Sequence, residues 1–261
     1  MLSKVPEITI WFWIIKILCT TVGESVADWI NAALGIGLVA TAIIFTVVSI
    51  VVLAVQMTRR GYRPAAYWLT VVVMSVTGTL YTDILTDEIG VPLLISTALF
   101  AVILTLVFSI WFAKERTLSI HSIVTVPREA FYWLTVLVTF ALGTALGDWT
   151  LDLTGWGPGP SVLLPLALIG IVAALWRLGA NPVLAFSIAY ILTRPLGANI
   201  GDWLGSGQSD GGLGLGTLAT SLIFLSAILA TVIYLSITRV DVIESTRTGS
   251  SEPHDAASPS V

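Results

Sequence analysis

The hexapeptide Gly23-Glu-Ser-Val-Ala-Asp28 returns as Gly78-Thr-Leu-Tyr-Thr-Asp83, Gly143-Thr-Ala-Leu-Gly-Asp148 and Gly197-Ala-Asn-Ile-Gly-Asp202. Only the first glycine and the last aspartate are common to all four, and one Gly-x4-Asp alone would mean nothing. The surroundings recur with it. Ten positions before the glycine stand Trp13, Trp68 and Trp133, with Ser187 in the fourth copy. Phe12, Tyr67, Tyr132 and Phe186 come just ahead of these, and a Trp follows the aspartate at Trp29, Trp149 and Trp203. Four copies with matching aromatics are an internal repeat. Successive aspartates lie 55, 65 and 54 positions apart, so copies one and two match copies three and four at offsets of 120 and 119. That is the pattern of a two-helix unit duplicated twice.

Each copy lies in an apolar run. Of 261 residues 56% are hydrophobic and 11% charged, with mean hydropathy +0.94, whereas a soluble domain carries about 25% charged residues. An ordinary soluble enzyme is excluded. A membrane-crossing helix needs about 20 largely apolar residues, and such runs fall at about 8–29, 37–57, 65–86, 91–113, 130–152, 161–178, 181–204 and 213–238. The fold class is therefore an all-α integral membrane protein of eight transmembrane helices in four two-helix repeats. One transmembrane domain covers 1–240, with repeats at about 5–60, 61–116, 127–180 and 181–240. The first run lacks a small-residue cleavage pattern and reads as a retained helix. The Ser- and Pro-rich stretch 241–261 has too little apolar surface for a core and is expected to be a disordered cytoplasmic tail.

Because each unit crosses twice, all four enter from the same face, as parallel repeats about an axis near the membrane normal. The four motif helices are expected around that axis, with the even helices outside. Ten cations (Lys4, Arg59, Arg60, Arg63, Lys114, Arg116, Arg128, Arg177, Arg239 and Arg247) fall on the side of the termini, and the opposite loops hold no Lys or Arg. The positive-inside rule then puts both termini in the cytoplasm of a cell's inner (plasma) membrane. Lys16 and Arg194, the two remaining cations, lie within spans.

Lys4-Val-Pro-Glu-Ile-Thr9, Phe12-Trp13 with Lys16, and Thr20-Thr-Val-Gly-Glu24 with Asp28, taken with the later Gly-x4-Asp copies, are similar to a bacterial family of multi-pass, uncharacterised membrane-anchored proteins. That family is built from repeats of a domain of unknown function. The resemblance covers the membrane region and implies the repeat architecture, but no activity.

Function must come from the residues. An ionised side chain at mid-membrane costs about 2.5–3.5 kcal/mol, so Glu24, one turn before Asp28, and the four motif aspartates need a reason to be there. Asp28, Asp83, Asp148 and Asp202 lie near the outer ends of their helices, where a solvated or packing role competes with a site. Asp83 with Asp87, and Asp148 with Asp152, repeat the i, i+4 spacing of Glu24 and Asp28; such neighbours repel unless a cation or a shared proton intervenes. Lys16 or Arg194 is expected as internal counter-charge to Glu24 or another motif carboxylate. Gly23, Gly78, Gly143 and Gly197 are read as close helix packing, and the matched aromatics, including Trp68 and Trp133, as interfacial anchors. Pro195, Gly197 and Gly201 weaken the seventh helix, either at a binding site or for packing.

His121 and His254 lie outside every span, and Cys19 reads as a small buried residue, so imidazole or thiolate metal sites are disfavoured. Oxygen ligands suit magnesium, calcium, manganese, sodium or protons. No P-loop or Ser-His-Asp grouping is present, and a net charge of −4 argues against nucleic acid. The expectation is a transporter or channel-like protein, not an enzyme, without a resident cofactor, whose Glu24, Asp28, Asp83, Asp148 and Asp202 take a cation or protons in an outward-facing vestibule. Its partners are the lipid bilayer, the cation substrate and possible further copies of itself. The alternatives are a non-transporting scaffold with structural buried charges and, last, an intramembrane enzyme using paired carboxylates.

Overall fold

In a computed structural model, the described residues 3–120 and 123–242 form helices and connecting turns, with no strand among them. His121, Arg247, His254 and the tail from residue 243 lie outside the described residues. The spans are α1 (Ile10–Leu34), α2 (Leu38–Met57), α3 (Pro64–Asp83, continued by a π turn Ile84–Glu88), α4 (Leu93–Glu115), α5 (Val126–Thr154), α6 (one turn, Pro158–Ser161, leading into Leu163–Arg177), α7 (Pro182–Gly205) and α8 (Thr217–Thr238). All eight are long and apolar enough to cross a membrane. Prolines occupy the first turn of α3, α5 and α7, where their missing N–H would be unpaired anyway. Asn181 caps α7 by accepting from the amides of Val183 and Leu184 at 2.9 and 3.1 Å. α7 runs on through Pro195 without a break.

Two helix classes separate by burial. The repeat helices α1, α3, α5 and α7 are 61, 61, 72 and 50% buried, against 22, 17, 11 and 28% for α2, α4, α6 and α8. The first group forms a closed inner ring in which α1 packs on α3, α3 on α5, α5 on α7 and α7 on α1. Each motif glycine supplies one contact of that ring. A Cβ on Gly23 would lie 1.9 Å from Ser75, on Gly78 2.5 Å from Phe140, on Gly143 2.0 Å from Arg194 and on Gly197 1.7 Å from Thr20. In every case the partner stands three residues before the glycine of the next copy. One heterologous contact, used four times, closes on itself.

The outer helices follow the same rotation. α2 packs chiefly on α3, α4 on α5 and α6 on α7, while α8 returns to α1. Each hairpin thus lays its second helix against the next repeat. Their outward faces carry exposed Ile43, Val47 and Val51 on α2, Val102 and Leu106 on α4, Leu166 and Ile171 on α6, and Leu222, Leu229 and Ile233 on α8. Apolar surface this continuous is stable in lipid and not in water.

The end of the bundle that carries the termini is crossed by an extended strap, Ser3–Thr9. Lys4 N donates to Ile123 O, Tyr62 N to Ser3 O and Glu7 N to Asp241 O, at 3.2, 2.9 and 2.8 Å. Lys4 Nζ, itself buried, donates to Glu129 Oε2 at 2.6 Å and to Met57 O at 3.0 Å. This cover corrects the anchoring role expected of the aromatics. Trp68 and Trp133 are each 1% exposed, packed tilted or edge-on against Phe12, Tyr67 and Tyr132 inside the bundle and not at a lipid interface.

Candidate functional site

Side chains four apart on a helix share a face, so the inner ring stacks its axial residues in levels counted from the motif glycine. Eleven before it are Phe12, Tyr67, Tyr132 and Phe186; seven before, Lys16, Val71, Val136 and Tyr190; three before, Thr20, Ser75, Phe140 and Arg194; one after, Glu24, Thr79, Thr144 and Ala198; five after, the four aspartates. Except for Phe186, every residue in the first four levels is buried. At the fifth the bundle opens.

There a cavity of about 470 Å³ is lined by Glu24, Asp28, Asp83, Asp87 and Asp148, with Asn31, Thr86, Leu38 at the start of α2 and the connection that leads into α4. It therefore faces the end opposite the termini. Asp28 is exposed, while Asp83, Asp148 and Asp202 are half-buried. Carboxylate oxygens of Glu24, Asp28 and Asp202 lie within 4.8 Å of one another, a spacing at which one cation could be held between them. The π turn at Ile84–Glu88, closed by Ile89 N to Ile84 O at 3.0 Å, forms part of the wall that carries Thr86 and Asp87. Such single turns recur at functional sites. Neither Asp202 nor Asp152, four beyond Asp148, lines the cavity; Asp202 joins the group through its approach to Glu24 and Asp28.

The floor is Glu24, held from behind by the fully buried Arg194. From α7 its guanidinium reaches all three other inner helices: Nε donates to Phe140 O at 3.2 Å, one terminal nitrogen to Thr20 O at 2.8 Å, and the other to Glu24 Oε2 at 3.0 Å and to the hydroxyls of Thr79 and Thr144. Thr79 also donates to Glu24 Oε2 at 3.3 Å. A guanidinium supplies five donors in a fixed fork and can satisfy such a set while neutralising a carboxylate. Of the two counter-charges expected for Glu24, only Arg194 fills the role. Lys16 does not: its Nζ makes no hydrogen bond and lies 3.8 Å from the centre of the Phe140 aromatic ring and 4.2 Å from that of Tyr190. Arg194 Cζ is 5.6 Å from the same Phe140 ring.

The repeat is also recognisable by comparison. The pattern of one family, described as a repeat of unknown function (DUF347), matches at residues 11–62, 66–117, 131–179 and 185–241, four units that cover most of the chain. The chain belongs to the DUF347 family. No curated protein and no solved structure matches it. In this DUF347 chain the four matched units coincide with the four hairpins of the ring.

The carboxylates named from sequence thus come together at one mouth. Thr79, Thr144 and Asp87 were not among the candidates. The two threonines stand one after the motif glycine, in the column that holds Glu24 in the first copy, so aligning that column would have marked them. Glu129, partner of Lys4, carried no such signal. Its charge is satisfied by Lys4 at 2.6 Å, with Gln56 Nε2 and Trp133 Nε1 each at 3.5 Å.

Proposed function

We propose that this membrane protein is a cation transporter or channel-like protein of the plasma membrane, with both termini in the cytoplasm and the acidic cavity facing outward as the cation-accepting vestibule. One observation carries the reading: Asp28, Asp83 and Asp148 line one mouth and Asp202 comes within 4.8 Å of Glu24 and Asp28 there, directly above a buried Glu24 already paired with a cationic side chain. Water-exposed carboxylates attract a hard cation, magnesium, calcium, manganese or sodium, or a proton. Glu24 then offers the deepest oxygen, which an arriving cation gains by displacing Arg194. The closed ion pair holds the floor shut while the vestibule is empty, and the packed aromatics beneath it separate the two sides.

The ten-to-none segregation of loop cations supports the orientation, and the matching offsets of the copies support two rounds of duplication. The bridging of four helices by Arg194 favours a second reading, in which the buried pair is a structural clamp in a non-transporting scaffold. Purified protein in proteoliposomes separates the two when challenged with magnesium, calcium, manganese and sodium in turn. Transport predicts flux of one of them, lost or sharply reduced in Glu24→Gln and Asp148→Asn, and a melting temperature that rises with that cation's concentration. A scaffold gives neither.

A further inference from the structure

Lys16 is a buried amine for which the vestibule has no use. It is 1% exposed, in the second turn of α1, and its nitrogen lies over the faces of Phe140 and Tyr190 without a hydrogen bond. An ammonium has three donors to place, and none has an acceptor here. The ionisable groups around it are Cys19 on its own helix, Arg194 and Tyr190 on α7, and, further toward the termini, Tyr132 on α5 and Tyr67 on α3. On α8, packed outside α1, the titratable side chain is Tyr234, whose ring packs tilted against Trp11 at 5.0 Å. Among the described residues no carboxylate pairs with Lys16.

On the side of the termini these tyrosines form a column. Tyr67 and Tyr132 are hydrogen-bonded through their hydroxyls. Tyr190 carries an unpartnered buried hydroxyl, as does Thr135. Both residues, with Tyr132, line a second cavity of about 30 Å³, room for a single water that could join the unpartnered groups. Beyond Tyr67 lies Tyr62, its aromatic ring 5.6 Å away, and Tyr62 donates to Asp241 beneath the strap. Tyrosines thus lie between the terminal face and Lys16, with Arg194 and Glu24 on its other side.

We propose that Lys16 is a proton-carrying residue, loaded and unloaded through the tyrosine column, and that the protein exchanges its cation for protons. The inference rests on the transport reading above and names its coupling ion. On this path Tyr62 is bonded to Asp241 and Tyr67 to Tyr132; waters bridge Tyr62 to Tyr67 and Tyr132 to Tyr190, each oxygen accepting one proton and releasing its own, and Lys16 Nζ takes the last proton on its lone pair after swinging from the Tyr190 ring face to the hydroxyl, making an ammonium. Deprotonation returns it by the same path. Ammonium and cation then exclude each other. Lys16 and Glu24 are about 12 Å apart along α1 at 1.5 Å per residue, and at an effective dielectric of about 20 two unit charges at that distance weaken one another's binding about tenfold. The shared Phe140 face adds a direct route: a charged Lys16 repels Arg194 toward Glu24, closing the floor as the cation leaves.

Proteoliposomes containing a trapped pH indicator test this, with manganese, calcium, magnesium and sodium each added outside. The expected result is cation entry accompanied by proton movement the other way. Lys16→Arg, which keeps charge and aromatic contact but holds its proton, should weaken cation binding about tenfold, Tyr190→Phe, which keeps the aromatic ring, should retain it, and in both variants proton movement should fall to background. Lys16→Met should bind the cation about tenfold more tightly above neutral pH than the Arg variant. Should Lys16→Met not fold, the other two variants, checked for unchanged melting temperature, carry the test. Cation flux that needs Glu24 but moves no protons, or proton movement intact in Lys16→Arg, overturns the proton-carrier assignment and leaves the vestibule standing. Absence of any cation flux in the wild-type protein removes both.

Discussion

Replacing Gly143 by alanine should damage the bundle far more than the same change one turn further on at Gly147. A methyl on Gly143 would sit 2.0 Å from Arg194 Cγ, 2.3 Å from its Cβ and 3.3 Å from Pro195 Cδ. Those atoms are the root of a side chain whose far end is bonded to three other helices, so rotation cannot clear the space and α5 must move away from α7. Overpacking of this kind costs about 1–3 kcal/mol. At Gly147 the nearest atoms are Asn199 Oδ1 and Pro195 Cα and Cβ, all at 3.6 Å, ordinary contact that a methyl fills. Alanine improves helix propensity by roughly 0.5–1 kcal/mol at either position, so that gain cancels and the two variants should differ by about 1–3 kcal/mol. Unfolding in mixed micelles with increasing dodecyl sulfate, followed by tryptophan fluorescence, measures the difference. Equal midpoints for the two variants would refute the close α5–α7 approach and the glycine-built ring with it.

Three further outcomes are expected from the same structure. Arg194→Met should cost about 3–5 kcal/mol because it strands Glu24, and adding Glu24→Gln should recover much of that loss; a double-mutant cycle with no coupling would separate the two residues. Lys4→Met should likewise destabilise by about 3–5 kcal/mol by stranding Glu129, and the limited-proteolysis pattern should shift toward cleavage within residues 3–9; unchanged protection there would count against the strap being pinned by this pair. Burial holds the Asp241 carboxyl above the usual carboxylate range, opposed by the hydrogen bond from Tyr62, whose phenol burial also pushes up. The folded state therefore favours protonated Asp241, and its contribution is complete below the unfolded value of about 3.9 and lost as pH rises through the raised folded one. Relative to Asp241→Asn, the wild-type melting temperature should fall over that window, and parallel pH profiles would contradict the assignment.

Hydropathy located all eight spans, because a bilayer leaves a chain little choice but to bury runs of about 20 apolar residues. The Gly-x4-Asp spacing located the mouth, because residues at one register of like-oriented helices share a depth. Periodicity was silent where the partner is remote in sequence. Trp68 and Trp133 have the spacing of interfacial anchors, and only the strap folded back over them makes them core. Glu129 fell outside a span read to begin at about residue 130, whereas α5 starts at Val126 and carries it inside. The π turn after Asp83 left no mark either, since its sequence, Ile84-Leu-Thr-Asp-Glu88, would serve equally as an ordinary helical turn. Which cation met Glu24 could not be read from spacing, because Lys16 and Arg194 are both compatible with the same carboxylate until the helices are rotated into place.

Having four unequal copies in one polypeptide has an electrostatic consequence. A symmetric tetramer of a single hairpin would confront each axial charge with three replicas of itself. Here each of the three sealed charged levels holds a lone ionisable ammonium, guanidinium or carboxylate among non-ionic or phenolic companions: Lys16 in the first, Arg194 in the second, Glu24 in the third. Fourfold acidity survives only at Asp28, Asp83, Asp148 and Asp202, where solvent reaches the side chains. Divergence between copies within one chain thus allows one unreplicated charge per level of a shared axis, an arrangement that no assembly of identical subunits could build.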